Sequence, residues 1–455
     1  MIHSRPSGLK TFIPKLALLS LFLVFPGCRK SSYVIEQVES ITDQGGGTGT
    51  VTWSNDIAYL LNGFVFVNSG QVLTIEAGTV IRGKTGQGNL ASALIVARGG
   101  TIIAEGERNR PIIFTVEGDD LKGSVPIEAR GLWGGLILLG NASVNTESGE
   151  DMIEGIPISE PRGIYGGPDD DDNSGILKYI SIRHGGTNIG EGNEINGLTL
   201  GGIGRQTIID HVEVISNADD GVEFFGGAVN CRNLVVSFCG DDAFDMDQGF
   251  QGKGQFWLAI NSPDSDQTSE VTGGLQPVSG LPGSFPIIYN ATLIGNRSIE
   301  PVSTIKYQSY GGGNFRNSII LHAGKGIELT YSSKLSDSYS LFTQGKLGFE
   351  NNIIYPANDP VPLFYTFSED GLDLTEQNLL MADSMVTWKT DYNDPGISTE
   401  NGYTLLPPIT VFENLAPYEN DWFEKVTFKG AFGSFDWIEG WTLLYESGFI
   451  NDERD

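Results

Sequence analysis

Short runs of apolar residues alternate with polar turns along the chain from residue 51 onward. Glycine, asparagine or a cluster of charged residues follows each run, and apolar residues at helical spacing are nearly absent. Short strands separated by turns at even spacing are typical of β-sandwiches, β-barrels and solenoids. The sequence therefore predicts an all-β fold, and its clearest strands lie at residues 64–67, 72–75, 79–81, 93–96, 101–103 and 112–114.

An internal repeat favours the solenoid among these three folds. Residues 209–227 align with residues 231–249 at an offset of 22 positions, and acidic, apolar and glycine positions coincide. A unit of this length, with two strands and polar turns, corresponds to one coil of a parallel β-helix, whose coils bury their apolar sides only by stacking. We therefore predict a right-handed parallel β-helix, with residues 176–185 and 326–328 in further coils.

The N-terminal residues predict export and lipidation. Residues 16–25 form an apolar run that follows basic residues and is too short to span a bilayer, as in a secretion signal. Gly27 and Cys28 then match the end of a bacterial lipobox, in which the cysteine becomes the lipidated N-terminus. We interpret residues 1–28 as a lipoprotein signal peptide with a lipidated Cys28; a non-lipidated signal is the alternative. The expected localisation is the outer membrane, where a lipid anchor holds the protein on the periplasmic or surface face.

The rest of the chain is predicted to form a flexible tether, a β-helix and a C-terminal capping segment, at residues 29–50, 51–402 and 403–455. The tether is inferred from its terminal glycine run. The cap is inferred from its aromatic residues, because a solenoid has to cover its last apolar coil. Polar or helix-compatible stretches predict loop insertions near residues 141–175, 260–286 and 355–402.

Several glycine-rich and acidic segments are spread over the chain, among them Gly63-Phe64-Val65-Phe66-Val67, Trp133-Gly134-Gly135, Asp219-Asp220-Gly221-Val222-Glu223, Asp241-Asp242-Ala243-Phe244-Asp245 and Trp437-Ile438-Glu439-Gly440-Trp441-Thr442. In these segments the chain resembles the β-helix lipoproteins and secreted proteins of Bacteroidetes and some Proteobacteria. The resemblance covers nearly all of the chain after the signal. It implies a β-helix in the cell envelope, but no particular activity, because that family has no settled one.

Net charge indicates which partners to expect, and the spacing of the cysteines indicates whether a disulfide forms. The formal net charge is −29, which disfavours nucleic acid and makes divalent cations the expected ionic partners. An apparent strand separates Cys231 from Cys239, so both thiols are predicted to be free and packed rather than bridged. The four histidines are scattered, and the common zinc-protease, dithiol and serine-nucleophile motifs do not occur.

Acidic residues at equivalent positions of the two aligned coils form the sharpest chemical pattern. Side chains alternate in and out along a strand, so Glu223 faces outward if Val222 and Phe224 face inward. In the same register Asp245 and Asp247 face outward, and Glu223 stacks on Asp245. The preceding turns are expected to stack four more acids, Asp219, Asp220, Asp241 and Asp242.

Like charges one strand spacing apart destabilise a fold unless something compensates for them. A Ca²⁺ ion would collect several of these oxygens, and we predict it as a cofactor at the seven acids just named. Alternatively, one carboxyl keeps a proton and acts as a general acid, as aspartates do in polygalacturonases, although the accompanying basic motifs of those enzymes are not evident. The turn aspartates also have a purely structural interpretation, because Asp often hydrogen-bonds backbone in turns.

Three further patterns have competing interpretations. Residues 170–175 resemble the start of a calcium loop, but Ser181 stands where such a loop needs Glu, so a solvated acidic loop is preferred. Arg183 and His184 could act as a base beside the acids. Four aromatic residues could stack on sugar rings, although core packing is the preferred interpretation: Trp133, Phe225, Phe250 and Trp257.

Three functions remain open from the sequence. The preferred one is a non-catalytic cell-envelope module that binds a glycan, Ca²⁺ or a partner protein on a β-helix face. The second is a polysaccharide lyase or glycoside hydrolase that uses the stacked carboxylates, which predicts basic residues facing them. The third is an accessory lipoprotein of an outer-membrane transporter. The expected partners are thus the membrane, through the lipid anchor, and a polysaccharide or an outer-membrane protein, but not nucleic acid.

Overall fold

A computed structural model of the protein describes residues 37–450 apart from residues 191–192, 275–276, 297–301, 322–324, 333–335, 356–362, 369, 399–402, 407–411 and 435. The predicted signal peptide, Cys28 and residues 29–36 lie outside the described residues. Within the described part of the chain, no helix is both long enough and apolar enough to cross a membrane.

Short strands dominate the described residues. In chain order they are β1 (Gln37–Ile41), β2 (Val51–Trp53), β3 (Ile57–Leu61), β4 (Phe64–Val67), β5 (Val72–Ile75), β6 (Val80–Gly83), β7 (Ala93–Val96), β8 (Thr101–Glu105), β9 (Ile112–Val116), β10 (Leu136–Leu139), β11 (Asp151–Met152), β12 (Ile164–Tyr165), β13 (Gly175–Arg183), β14 (Thr187–Gly190), β15 (Asn193–Ile195) and β16 (Leu198–Gly201). They continue with β17 (Ile208–Ile215), β18 (Val222–Phe225), β19 (Asn230–Ser237), β20 (Phe244–Asp247), β21 (Lys253–Gln255), β22 (Leu258–Ile260), β23 (Ser269–Thr272), β24 (Ile287–Tyr289), β25 (Thr292–Ile294), β26 (Ile305–Gln308), β27 (Gly313–Arg316), β28 (Ile319–Leu321), β29 (Ile327–Thr330), β30 (Leu347–Glu350), β31 (Ile353–Tyr355) and β32 (Phe364–Phe367). The described helices are α1 (Ser338–Thr343), α2 (Thr375–Thr387) and α3 (Leu443–Glu446).

These strands stack as a right-handed parallel β-helix with three faces, which confirms the predicted fold. The first face runs from β2 through β5 and β8 to β13, β17 and β19, and continues through β21, β24, β27 and β30. The second face runs from β1 through β3, β6 and β9 to the same three long strands, and continues through β22, β25, β28 and β31. The third face contains β4, β7, β10, β16, β18, β20, β23, β26, β29 and β32. The repeat predicted two strands per coil; the structure has three faces because long strands such as β13 pair on two of them, with β8 on the first and with β9 on the second.

A one-residue bend separates the first face from the second. The bend residue has a left-handed backbone, with φ of 53° at Asn233, Asn290 and Asn317 and 58° at Asn351. Asparagine adopts this conformation more readily than most residues. Tyr179 and His211 occupy the same bend in earlier coils, with φ of 50° and 57°.

The predicted tether boundary at residue 50 needs correction. Strand β1 pairs in parallel with β3, so the stack already begins at Gln37. Asp43, in the loop that follows, accepts hydrogen bonds from Gly45 N at 2.7 Å and Gly47 N at 3.0 Å, and its carboxylate lies 2.7 Å from Arg162 Nη1. These glycines give the loop its positive φ angles, and they mark a tight turn rather than a flexible linker.

The described part of the predicted C-terminal cap lies along one side of the solenoid rather than over its last coil. The described part of residues 403–450, which we call the C-terminal strap, packs along the outer side of the second face, where outward-facing residues such as Val235, Leu258 and Ile294 are apolar and need cover. Glu213 of β17 is one of the residues that hold the strap, because its carboxylate accepts hydrogen bonds from Leu443 N at 2.8 Å and Leu444 N at 2.9 Å. The last coil is covered instead by α1 and α2, whose buried residues join the interior core: Leu341, Phe342, Met381 and Met385.

The insertion at residues 141–175 covers the outer side of the third face in the first coils. Its residues Val144, Ile153 and Tyr165 pack on outward-facing apolar residues of β4, β7 and β10, such as Ile95 and Ile137. The outward residues of the third face turn from apolar to polar at β16, where Thr199 follows Ile137 in register, and the insertion reaches past this point, since Tyr165 packs on Phe225 of β18. The insertion therefore brings its own polar side chains to the edge of the acidic coils.

Candidate functional site

Glu223 and Asp245 lie opposite each other on the third face, in the register that the repeat predicts. Strand β18 pairs with β20 so that Glu223 faces Asp245 and Phe225 faces Asp247. Val222 and Phe224 belong to the interior core, as do Phe244 and Met246. The acids therefore point out of the solenoid, yet they are shielded from solvent, since Glu223 and Asp247 are each only 8 % exposed.

The same column of side chains continues in both directions. Thr199 precedes Glu223 in register, and Glu270, Lys306, Glu328 and Tyr365 follow Asp245. Three successive coils thus place Glu223, Asp245 and Glu270 in line, and we call these three residues the acidic column. Adjacent parallel strands are spaced by about 4.8 Å.

Two of the four turn aspartates, Asp220 and Asp242, make the backbone hydrogen bonds that their structural interpretation predicts. Asp220 Oδ1 accepts a hydrogen bond from Asp242 N at 2.8 Å, and Asp242 Oδ1 accepts one from Gln267 N at 2.6 Å. Each carboxylate thus ties its turn to the next coil, which fits the structural interpretation. Both side chains also reach the acidic column, so they can serve a ligand as well.

Among the residues that the structure describes, carboxylate oxygens converge in four groups, within each of which the atoms lie within 4.8 Å of one another. Two groups contain strand acids: the upper triad of Asp220, Glu223 and Asp245, and the lower triad of Asp242, Asp245 and Glu270. The other two lie in the turns and consist of Asp219, Asp220 and Asp241, and of Asp241, Asp242 and Asp266. In each pair the second group is the first one moved along by one coil, and the two triads share Asp245.

A carboxylate and an amide from outside the column complete the upper triad. Asn196 Nδ2 donates to Glu223 Oε2 and, at 3.1 Å, to Glu154 Oε1. Glu154 comes from the insertion at residues 141–175, so it joins the site from a distant part of the sequence. Burial raises the pKa of Glu154 to about 7, which makes Glu154 and Glu223 a pair of carboxyl groups that compete for protons.

Burial and mutual repulsion dominate the electrostatics of the whole cluster. Burial, followed by the charges of neighbouring acids, raises the pKa of Asp219 to about 8 and that of Asp241 to about 6. The same two causes raise the pKa values of Glu223 and Asp245 well above their ordinary range. Asp245 Oδ1 is buried and has no hydrogen-bond partner among the described residues. A buried acceptor in that state costs free energy unless a hydrogen-bond donor or a cation reaches it.

Charged side chains are arranged differently on the outer side of the first face. Its outward column alternates in sign from Glu105 to Lys178, Asp210 and Arg232. On the third face the sign of the charge does not alternate within the acidic column. The first basic residue after the column is Lys306, whose Nζ lies 2.9 Å from Glu270 Oε2. The concentration of like charge on the third face is therefore a local departure from the charge pattern of the first face, and such departures are typical of functional or strained positions.

Asp247 lies beside the column but belongs to none of the four carboxylate groups. Its Oδ1 accepts a hydrogen bond from Gln248 N, and burial raises its pKa to about 7. The structure therefore brings together six of the seven predicted metal ligands, and it adds Asp266, Glu270 and Glu154.

Two predicted alternatives take no part in this site. Arg183 and His184 are buried on the second face, where Arg183 Nε donates to Ser181 Oγ at 2.8 Å and His184 Nδ1 lies 2.8 Å from Ala129 O. They cannot act as a base beside the third face, so that hypothesis is wrong. Asp170 accepts a hydrogen bond from Ser143 N at 3.0 Å within a surface loop.

Three of the four candidate sugar-stacking aromatics, Trp133, Phe250 and Trp257, lie in the interior core.

The fold and this site define a class, namely parallel β-helix proteins with a buried acidic column on one outer face. The family profile of the pectate-lyase-like β-helix domain matches residues 45–359, more than half of the chain, so the chain belongs to that family. No curated protein matches the chain, and no solved structure matches it. Membership of this family fits a carbohydrate-related role.

Proposed function

We propose that the protein is a lipid-anchored module of the cell envelope that binds a divalent cation, Ca²⁺, at the acidic column and engages a glycan there without cleaving it. The observation that carries the proposal is Asp245. Its carboxylate belongs to both triads, and one of its oxygens is buried without a partner among the described residues. A cation at this point would satisfy that oxygen and offset the repulsion of its neighbours.

The upper triad is the better candidate for the ion. Its three carboxylates come from one turn and two adjacent strands, and hard oxygen ligands of this kind suit Ca²⁺, which takes six to eight of them. Water and hydroxyl or carboxylate oxygens of a sugar would complete the coordination. The ion would then join the protein to the glycan, and the family relationship supports a carbohydrate as the partner.

The proposed localisation rests on the sequence. Cys28 follows an apolar run of signal type, and diacylation there would anchor the chain in the outer membrane, as in the Bacteroidetes lipoproteins that the chain resembles. Residues 29–36 separate this anchor from the first described strand, β1.

A catalytic role is the second candidate, and the pair of Glu154 and Glu223 favours it. Two carboxyl groups that share Asn196 as a hydrogen-bond donor can hold one proton between them, and one of them could then act as a general acid. Lys306 lies on the same face, three strands beyond Glu223, where its ammonium group pairs with Glu270. The two candidates differ in outcome, because only the second changes the glycan.

Glycan-array binding in Ca²⁺ and in EDTA, followed by analysis of the bound glycan for cleavage, tests the proposal. We expect binding that EDTA abolishes, with the glycan recovered intact. Cleavage that is lost in both E154Q and E223Q would establish the catalytic alternative. Binding that is equal in Ca²⁺ and in EDTA would refute a calcium-bridged site.

A further inference from the structure

The two triads on the third face differ in how their charge is balanced. Glu270, in the lower triad, has partners for both oxygens. Oε2 lies 2.9 Å from Lys306 Nζ, and Oε1 accepts hydrogen bonds from Gln308 Nε2 and, at 3.1 Å, from Thr272 Oγ1. In the upper triad, Glu223 receives a hydrogen bond from the neutral amide of Asn196, and its upper neighbour in register is the neutral Thr199.

Register explains the difference. The lower triad is the upper triad moved by one coil, with Asp242 in place of Asp220, Asp245 in place of Glu223 and Glu270 in place of Asp245. The next residue of the column after Glu270 is Lys306, and its side chain folds back toward Glu270, with a side-chain exposure of only 24 %. An ammonium group therefore lies against the lower triad.

We propose that Lys306 is a built-in cation that neutralises charge at the lower triad. It thereby limits the acidic column to one divalent ion, which the upper triad holds. This inference rests on the proposed function, because it takes calcium as the ion. A divalent ion at the lower triad would sit against the ammonium group, and their repulsion would exclude it. Removal of the ammonium leaves Glu270 without its cationic partner, and the lower triad then has the same composition of carboxylates as the upper one.

A practical consequence is that Lys306 sets the stoichiometry of the site rather than its fold. Glu328, on the other side of Lys306 in register, accepts a hydrogen bond from Tyr365, so it keeps a partner when the ammonium is removed. Lys325 provides a matched control. It is an exposed lysine whose charge acts on Asp266, next to the lower triad, but it does not lie in the column.

The experiment is a calorimetric titration of the calcium-free full chain with Ca²⁺, which counts bound ions per chain. We expect K306Q to bind one ion more than the wild type, whereas K306R and K325Q bind the same number as the wild type. The double variant K306Q/E270Q should lose the additional ion. Equal stoichiometry in the wild type and K306Q would overturn the inference, and it would leave the proposed function standing if D245N removes the wild-type ion.

The other outcomes are equally decisive. If the wild type binds no ion and K306Q binds one, the role of Lys306 is supported and the proposed function fails. If neither binds an ion, both fail. Should K306Q not fold in calcium-free buffer, it can be refolded in Ca²⁺ and its bound ions counted by native mass spectrometry, with the same expected difference of one.

Discussion

Glu223 and Asp245 face each other across adjacent parallel strands, 22 residues apart, and the turn acid Asp220 brings a third carboxylate within 4.8 Å of both. Two like charges in this relationship destabilise a ladder by their repulsion. On the first face the fold avoids the problem by alternating signs, as where Lys178 faces Asp210. On this ground we propose that a bound cation stabilises the acidic column.

The pH dependence of stability follows from the raised pKa values. Burial and neighbouring acids raise the pKa of Asp219 to about 8, of Glu154 to about 7 and of Asp241 to about 6, whereas these groups have ordinary values near 4 in an unfolded chain. Between these limits the folded state binds more protons than the unfolded state, so the free energy of unfolding falls as pH rises.

Thermal melting of the calcium-free protein should therefore give a lower Tm at pH 8 than at pH 5.5. Ca²⁺ should restore more stability at the higher pH, because ion binding has to displace protons at the lower one. A pH-stat titration should detect protons released on Ca²⁺ addition near pH 7. A Tm that rises steadily from pH 5.5 to pH 8 without Ca²⁺ would contradict the raised pKa values.

Glu213 should contribute strongly to the attachment of the C-terminal strap. It is fully buried, and its two oxygens accept hydrogen bonds from Leu443 N and Leu444 N. In E213Q one acceptor becomes an amide donor that faces a backbone N–H, which should cost about 1–3 kcal/mol of unfolding free energy. Urea unfolding measures this loss, and hydrogen exchange should locate it in the strap.

The control for that substitution is E439Q. Glu439 pairs with Arg108 at 3.0 Å, but both side chains are more than two-fifths exposed, so the loss should be well under about 1 kcal/mol. Equal effects of E213Q and E439Q would show that the buried carboxylate contributes nothing special to the docking of the strap.

Lipidation at Cys28 is a prediction from the sequence alone. Metabolic labelling with a fatty-acid analogue should mark the wild type and spare C28A, since only the thiol of a lipobox cysteine receives the diacylglycerol group. The variant C231A is a suitable control, because Cys231 is a free, buried thiol. Labelling of C28A at the wild-type level would refute the anchor.

Alternation of side chains within a regular repeat was predictable. The offset of 22 residues placed Val222, Phe224, Phe244 and Met246 inside and Glu223 and Asp245 outside, and the structure confirms each of these positions. The free state of Cys231 and Cys239 is confirmed as well. These features depend on local periodicity, which a single sequence displays.

Residues that reach the site across irregular distances were not predictable in this way. Asp245 faces Glu270 after 25 residues and Glu270 faces Lys306 after 36, because turns of different length separate the coils. Glu270 also lies within residues 260–286, which the polar composition assigned to an insertion, although they contain the coil strand β23. Glu154 comes from a long insertion, whose only signal was that such loops often carry function.

The two corrections to the ends of the solenoid have one cause. Apolar composition shows that a segment needs a partner, but not which surface it covers. The aromatic strap covers the second face because outward residues there are apolar, while α1 and α2 cover the last coil. Deciding between these surfaces from sequence requires the register of every coil in advance.

The most direct test of the central claim is the Ca²⁺ dependence of thermal melting in the wild type and in E223Q/D245N. A single ion bound to the folded state stabilises it by about 2.7 kcal/mol at a hundredfold excess over Kd. We expect the wild type and the surface control E105Q/E117Q to show that increase in Tm with millimolar Ca²⁺. E223Q/D245N should melt higher than the wild type without Ca²⁺, since repelling carboxylates are removed, and should gain almost nothing when Ca²⁺ is added. An equal Ca²⁺ shift in the wild type and E223Q/D245N, or no shift in the wild type, would contradict the account.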